Sequence, residues 1–296
     1  MKDTVNNKGG TYMIADILHF DFLRHTFLTG ILIGIIAPLL GTFLVVRRLA
    51  LLADALSHVT LAGIAFGLFI EKQVTIPLIT PFYGGLGASV LGAVLIEKLR
   101  SVYTAYQEIG IPIILSAGVG ISVILISLAN GFNTDLFNYL FGSVSAVSKT
   151  DFYTIIIITI IVIAIIFLFY KELLTLSFDE EHAVVSGIHA KRIHFIFIVL
   201  TALVIAASIR IVGVLLVSAL MTLPVATAMR IAISFKQLII YSILFAETSV
   251  IIGLITGYYL NIPPGGTIVT TAILILLIVL GLKHISTKKV KGVEQL

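Results

Sequence analysis

Nine predominantly apolar runs fill most of this 296-residue chain, near 22–46, 51–70, 76–96, 111–129, 152–170, 193–209, 211–229, 237–260 and 267–283. About 20 apolar residues in a helix cross the ~30 Å hydrocarbon layer of a bilayer. In that layer every backbone polar group must be satisfied internally, which leaves helices or closed barrels. The lengths favour helices, so the expected fold is all-α: a polytopic membrane protein with eight or nine transmembrane helices. Two pairs of runs, 22–46 with 51–70 and 193–209 with 211–229, are joined by very short links, so eight spans with one broken or re-entrant segment is an alternative count. Composition points the same way. Hydrophobic residues make up 59% and charged residues 11%, whereas soluble folds carry roughly 25% charged residues. The expected organisation is a polar N-terminal extension (1–21), one transmembrane domain (22–283) and a tail (284–296).

Orientation follows from Lys and Arg, which are retained on the cytoplasmic side. With nine crossings, segments 47–50, 97–110, 171–192 and 230–236 and the tail share one side and hold 13 of the 19 basic residues. That side is cytoplasmic and the N-terminus is outside, in a cell membrane. The start MKDTVNNKGG lacks the basic-then-apolar order of a cleaved signal, so the first run is expected to be a retained span. The net charge of +4 implies no nucleic-acid partner; the bulk partner is membrane lipid.

Ionisable groups within a span cost about 2.5–3.5 kcal/mol each on insertion scales and need a reason. In LLADALSHVTLAGIAFG (51–67), Asp54 and His58 stand four residues apart, which places them on one helical face. A carboxylate and an imidazole there can share a divalent cation, with Ser57 alongside as support. The plainer reading is that Asp54 caps the second span beside Arg47 and Arg48 while His58 bonds a neighbouring helix. Glu247 lies mid-span and Arg210 at the tight link between two runs; they are candidates for the pathway or for mutual pairing, with interhelical bonding and interfacial anchoring as the plain alternatives. His182, His189 and His194 are close in sequence but interleaved with Lys191 and Arg192, which repel a cation. With no cysteine, thiolate ligation is excluded.

The segment KELLTLSFDEEHAVVSGIHAKR (171–192) sets Asp179, Glu180 and Glu181 before a small-residue stretch ending at Gly187. Acids at a helix start and glycine at its end fit a short helix on the membrane face, able to dock a partner; a solvated loop is the alternative. A phosphate-binding G-x-x-x-x-G-K-[ST] loop, H-E-x-x-H and G-x-S-x-G are all missing. No catalytic set is visible, so the chain is expected to move a substrate rather than transform one.

Four ordered stretches resemble the permease subunit of bacterial zinc/manganese ABC importers: GTFLVVRRLALLADALSHVTLAGIAFG (41–67), DLFNYLFGSVSAVS (135–148), LSFDEEHAVVSGIHAKR (176–192) and RIVGVLLVSALMTLPVATAMR (210–230). The resemblance implies a fold similar to cobalamin and siderophore permeases, a two-fold pair of permease chains, a separate ABC ATPase subunit that binds ATP, and a metal-binding lipoprotein or periplasmic protein that delivers the ion. No cofactor is implied on this chain; the zinc or manganese ion is cargo. Carried over by motif, Asp54 and His58 are metal positions. Asp179, Glu180, Glu181, Ala183 and Gly187 form the ATPase-coupling segment. DLFNYLFGSVSAVS looks more like zinc permeases, so zinc is the first expectation and manganese the alternative. A gradient-driven secondary metal transporter and an intramembrane metalloenzyme are competitors of other classes. The first would show related halves, and none is visible.

Overall fold

The structure, a computed structural model, describes residues 19–73, 80–103, 106–129, 134–145 and 147–293. The N-terminal extension up to residue 18 lies outside the described residues, as do the last three residues of the tail. The described helices are α1 (Asp21–Val46), α2 (Ala50–Gln73), α3 (Pro81–Val102), α4 (Gly110–Leu128), α5 (Thr134–Phe141), α6 (Lys149–Leu168), α7 (Tyr170–Phe178), α8 (Glu180–Val185), α9 (Ala190–Val212), α10 (Val217–Ala228), α11 (Phe235–Leu260) and α12 (Pro264–Val293).

Eight of these helices are long and apolar enough to cross a membrane. The seventh apolar run, 211–229, is divided differently from the expectation. Arg210 is not a link but belongs to the last turn of α9, and the chain turns at Gly213, whose φ is 84°. A side chain there would meet strain, and its Cβ would lie 2.3 Å from the Leu140 carbonyl oxygen. Only 12 residues then form α10, about 18 Å of helix. Its course is fixed by α12. Gly265 packs against the Val212 carbonyl, while Lys283 Nζ donates to the Arg230 carbonyl oxygen. The α12 segment between these two contacts is about 27 Å long, and the stretch from Val212 to Arg230 runs beside it as a turn at 214–216 followed by a short helix. The third span also starts later than its hydropathy indicates. Pro81 occupies its first turn, where proline's missing N–H costs nothing, and α3 carries Glu97 and Arg100 within its last turns.

Helices α1, α2 and α9 form the centre of the bundle, whereas α4 and α12 present most of their residues outward. At the C-terminal end of α1, fully buried Phe43 meets Phe235, Phe197 and Tyr170 with ring centroids 5.2, 6.2 and 6.4 Å away, tying α1, α7, α9 and α11. Five buried hydroxyls are satisfied within their own helices: Thr42, Thr60, Thr201, Ser208 and Ser242 each donate to the carbonyl four residues back. That local bond is the economical solution where no water is available.

Candidate metal pathway

Helix α2 begins at Ala50, so Asp54 is already in its second turn and cannot cap it. Neither Arg47 nor Arg48 forms an ion pair with it. Asp54 and His58 are half-buried, one turn apart, and neither makes a hydrogen bond or ion pair with any described residue. The plainer reading, a cap plus an interhelical bond, is therefore absent among the described residues. Buried Ser57 commits its proton to the Ala53 carbonyl at 2.8 Å, leaving only its oxygen lone pairs for a neighbour.

Small residues hold α2 in place. A Cβ on Gly118 of α4 would lie 2.9 Å from the Val59 nitrogen and 3.0 Å from the His58 carbonyl carbon. The α4 backbone thus rests directly on the α2 backbone at the level of His58. Among the described residues no group of three or more His, Asp or Glu converges on one point. A single chain offers two protein ligands, fewer than the four of a tight structural site.

Arg210 and Glu247 do not pair with each other. The Arg210 guanidinium meets Asp151 at 3.1 Å, with the Asp151 side chain only 6% exposed. The same guanidinium stacks over Tyr139 and Phe82, 4.9 and 5.3 Å from the ring centroids. Asp151 also closes a capping box: Ser148 Oγ accepts from the Asp151 N–H, and Asp151 Oδ2 accepts from the Ser148 N–H. Burial pushes the Tyr139 phenol up to about 12, partly opposed by Arg210. This cluster joins α3, α5, α6 and α9, and its ion pair makes Arg210 more than an interfacial anchor. Ser-x-x-Asp at 148–151 was the legible sign of a cap; nothing in the sequence linked that cap to Arg210.

Glu247 lies midway along α11 and packs against Gly34 of α1, where a Cβ would come within 2.6 Å of its Oε1. Oε1 is buried without a hydrogen-bond partner, so the interhelical bond expected for Glu247 is not made at that atom. Another pair had no sequence signal: His194 of α9 is buried with its Nε2 3.6 Å from Glu97 of α3. His182 and His189 are exposed, so the three histidines form no common cluster.

The segment from Asp179 to Gly187 does form a helix. Asp179 accepts from the His182 N–H at 2.8 Å and caps α8. At the other end, Ile188 N–H bonds Ala183 O and Gly187 N–H bonds Val184 O, a Schellman closure with Gly187 at φ 84°. Ala183 is fully buried, whereas Val184 and Val185 face outward; Glu180, Glu181 and Gly187 are also exposed.

Residues 19–283 match the model of the ABC 3 transport family. The chain belongs to this family. It is 36% identical over 269 residues to the probable metal transport system membrane protein of Treponema pallidum, covering 91% of this chain and 98% of that protein. Over 265 residues it is 32% identical to the manganese transport system membrane protein MntC of Listeria monocytogenes, covering 90% and 92%. The high-affinity zinc uptake system membrane protein ZnuB of Haemophilus influenzae is 32% identical over 250 residues, covering 84% and 93%. A solved structure of PsaBC from Streptococcus pneumoniae in complex with Fab superposes with a TM-score of 0.78 at 32% identity, covering 90% of this chain and 94% of that one. The fold alone is shared with a putative metal-chelate type ABC transporter in an inward-facing conformation, at 16% identity and a TM-score of 0.64, over 97% and 91% of the two chains. As an ABC 3 family member the chain is a multi-pass membrane component of a transport system, not itself a catalyst.

Proposed function

We propose that this chain is the permease subunit of an ATP-driven divalent-metal importer, with manganese the favoured ion. The observation that carries this reading is the unpaired Asp54 and His58, held one turn apart within a span of an ABC 3 family member. Two such chains form a two-fold pathway, a separate ABC ATPase hydrolyses ATP, and a metal-binding lipoprotein or periplasmic protein supplies the ion. The wider relation to cobalamin and siderophore permeases belongs to the same reading. Zinc, the first expectation, gives way to manganese. Relatives named for manganese, from Listeria and Streptococcus, match 90% of this chain, against 84% for the zinc-named ZnuB of Haemophilus influenzae, and the likeness of 135–148 to zinc permeases specified no ligand. Imidazole and carboxylate serve either ion. A cation held by few ligands can leave again, which a passage site requires.

The test is uptake of radiolabelled manganese into vesicles that contain the chain with or without its ATPase and ATP. Manganese accumulation that needs both is the expected result. Uptake driven by an ion gradient with the permease alone, or ATP-driven uptake of zinc in place of manganese, overturns the respective part of the proposal.

Coupling to the ATPase is assigned to Asp179, Glu180, Glu181, Ala183 and Gly187. Gly187 has open space around it, so Gly187→Asp meets no clash. It does place an L side chain in a left-handed conformation that costs about 1–2 kcal/mol, opening the end of a six-residue helix. The variant is expected to accumulate in the membrane normally yet lose most ATPase co-purification and uptake. Full retention of both would remove this segment from the coupling path.

A further inference from the structure

We propose that the cavity at the cytoplasmic foot of α1 is a binding site for a phosphate-class anion, carried either by an anionic phospholipid headgroup or by free phosphate. The cavity measures about 970 Å³ and is walled by the α1–α2 link, the approach to α4 and the end of α7. Three guanidinium groups, those of Arg47, Arg48 and Arg100, line it.

Arg47 carries the proposal. Its Nη1 is buried with no hydrogen-bond partner, and the side chain forms no ion pair with any described residue. It lies over the face of Phe197, 5.7 Å from the ring centroid. A charged group removed from water without a partner is costly, and a buried unsatisfied donor is where an unseen ion or water is to be sought. Desolvation lowers the Arg47 pKa, and the neighbouring Arg100 adds to that effect, while Glu180 and Glu97 oppose it. An anion between Arg47 and Arg48 would relieve both the burial and the repulsion.

Two carboxylates, Glu108 and Glu180, also line the cavity, and both are exposed. Neither lies within ion-pair distance of Arg47 or Arg48 among the described residues, so solvent rather than Arg47 compensates them. A cation is disfavoured by Arg47 and Arg48, with Arg100 beside them paired to Glu97 at 3.6 Å. Phosphate suits them, because guanidinium groups donate paired hydrogen bonds to its oxygens. Beside the arginines stand Leu49, Ile109 and Phe178, with Phe178 69% exposed. Apolar wall next to basic wall is what a phospholipid presents in reverse. Basic pockets between helices on the cytoplasmic side are the expected seats of anionic headgroups. The cavity also borders α8 through Glu180, so an occupant would touch the segment assigned above to ATPase coupling.

The test uses the full chain purified in a zwitterionic detergent, titrated with phosphatidylglycerol, inorganic phosphate, phosphatidylcholine or chloride at matched ionic strength, with thermal unfolding as readout. A saturable rise in Tm with phosphatidylglycerol alone assigns the anion to lipid, and a rise with inorganic phosphate assigns it to the soluble ion; either supports the proposal. Arg48→Gln is expected to weaken binding about tenfold or more, the effect of losing one charge-assisted hydrogen bond, and Arg47→Gln to abolish it. Lys236→Gln, outside the cavity lining, is expected to bind as the parent does. Should Arg47→Gln fail to fold, exposed Arg48 keeps the test open. Response to neither phosphate source beyond the phosphatidylcholine and chloride controls would overturn the site, as would unchanged binding by both arginine variants.

Discussion

Manganese uptake by cells carrying Asp54→Ala or His58→Ala is expected to fall by at least about tenfold, with the permease present in the membrane at its normal level. Even residues that only orient a metal ligand cost about 10–100-fold when removed, and these two are assigned as ligands themselves. Misfolding is not the expected cause. Neither side chain makes a hydrogen bond or ion pair with a described residue, and the position of α2 is fixed by its backbone contact with Gly118 and by buried Leu52, Ala53, Ala55 and Leu56. Replacing a charge that the membrane disfavours should leave stability level or improve it. Asp54→Asn sharpens the test, since it keeps the shape of the side chain while removing the anionic oxygen that a hard cation prefers. Normal uptake in Asp54→Ala and His58→Ala cells at normal expression would sink the ligand assignment. Loss of protein from the membrane would instead show that the two residues serve the fold.

Asp54 and His58 were legible in the sequence because both the anomaly and its geometry are local. Two polar groups in an apolar run are conspicuous, and a four-residue spacing has one meaning on a helix. The α8 helix was legible for the same reason, as its cap at Asp179 and its closure at Gly187 lie within nine residues. Hydropathy located the spans but not their ends. It could not register that Pro81 delays α3, or that Gly213 splits the last part of the 193–229 region into a turn and a short helix. Long-range pairing was beyond its reach altogether. Arg210 invited a partner, and Glu247 was the conspicuous intramembrane acid, yet the fold brings Arg210 to Asp151, which reads in the sequence as no more than the cap of the next span. The Glu97–His194 pair illustrates the same point, since neither residue signals the other until α3 packs on α9, where Ser89 donates to the Ala202 carbonyl at 2.9 Å.

The buried Arg210–Asp151 pair yields the second large effect, and the sign of its double variant is the informative part. Asp151→Ala leaves a guanidinium that is 18% exposed without its carboxylate, and breaking one side of a buried pair costs about 3–5 kcal/mol. The Tyr139 and Phe82 rings remain over the cation, but contacts of this kind are worth about 0.5–2 kcal/mol and cannot replace a carboxylate. Thermal unfolding of the purified protein should therefore show a large drop in Tm for Asp151→Ala. In Arg210→Met with Asp151→Leu, apolar side chains fill the same space between Tyr139 and Phe82, and the buried carboxylate is removed together with the guanidinium it faces. Replacement of both partners is often neutral or stabilising, so the double variant is expected to recover most of the lost Tm despite carrying one more substitution. A double variant as unstable as Asp151→Ala would mean that the pair specifies how α6, α9 and α5 meet, beyond balancing charge. Recovered stability together with lost uptake would place the pair in the transport cycle, because the fold would then be intact while the charges were still required.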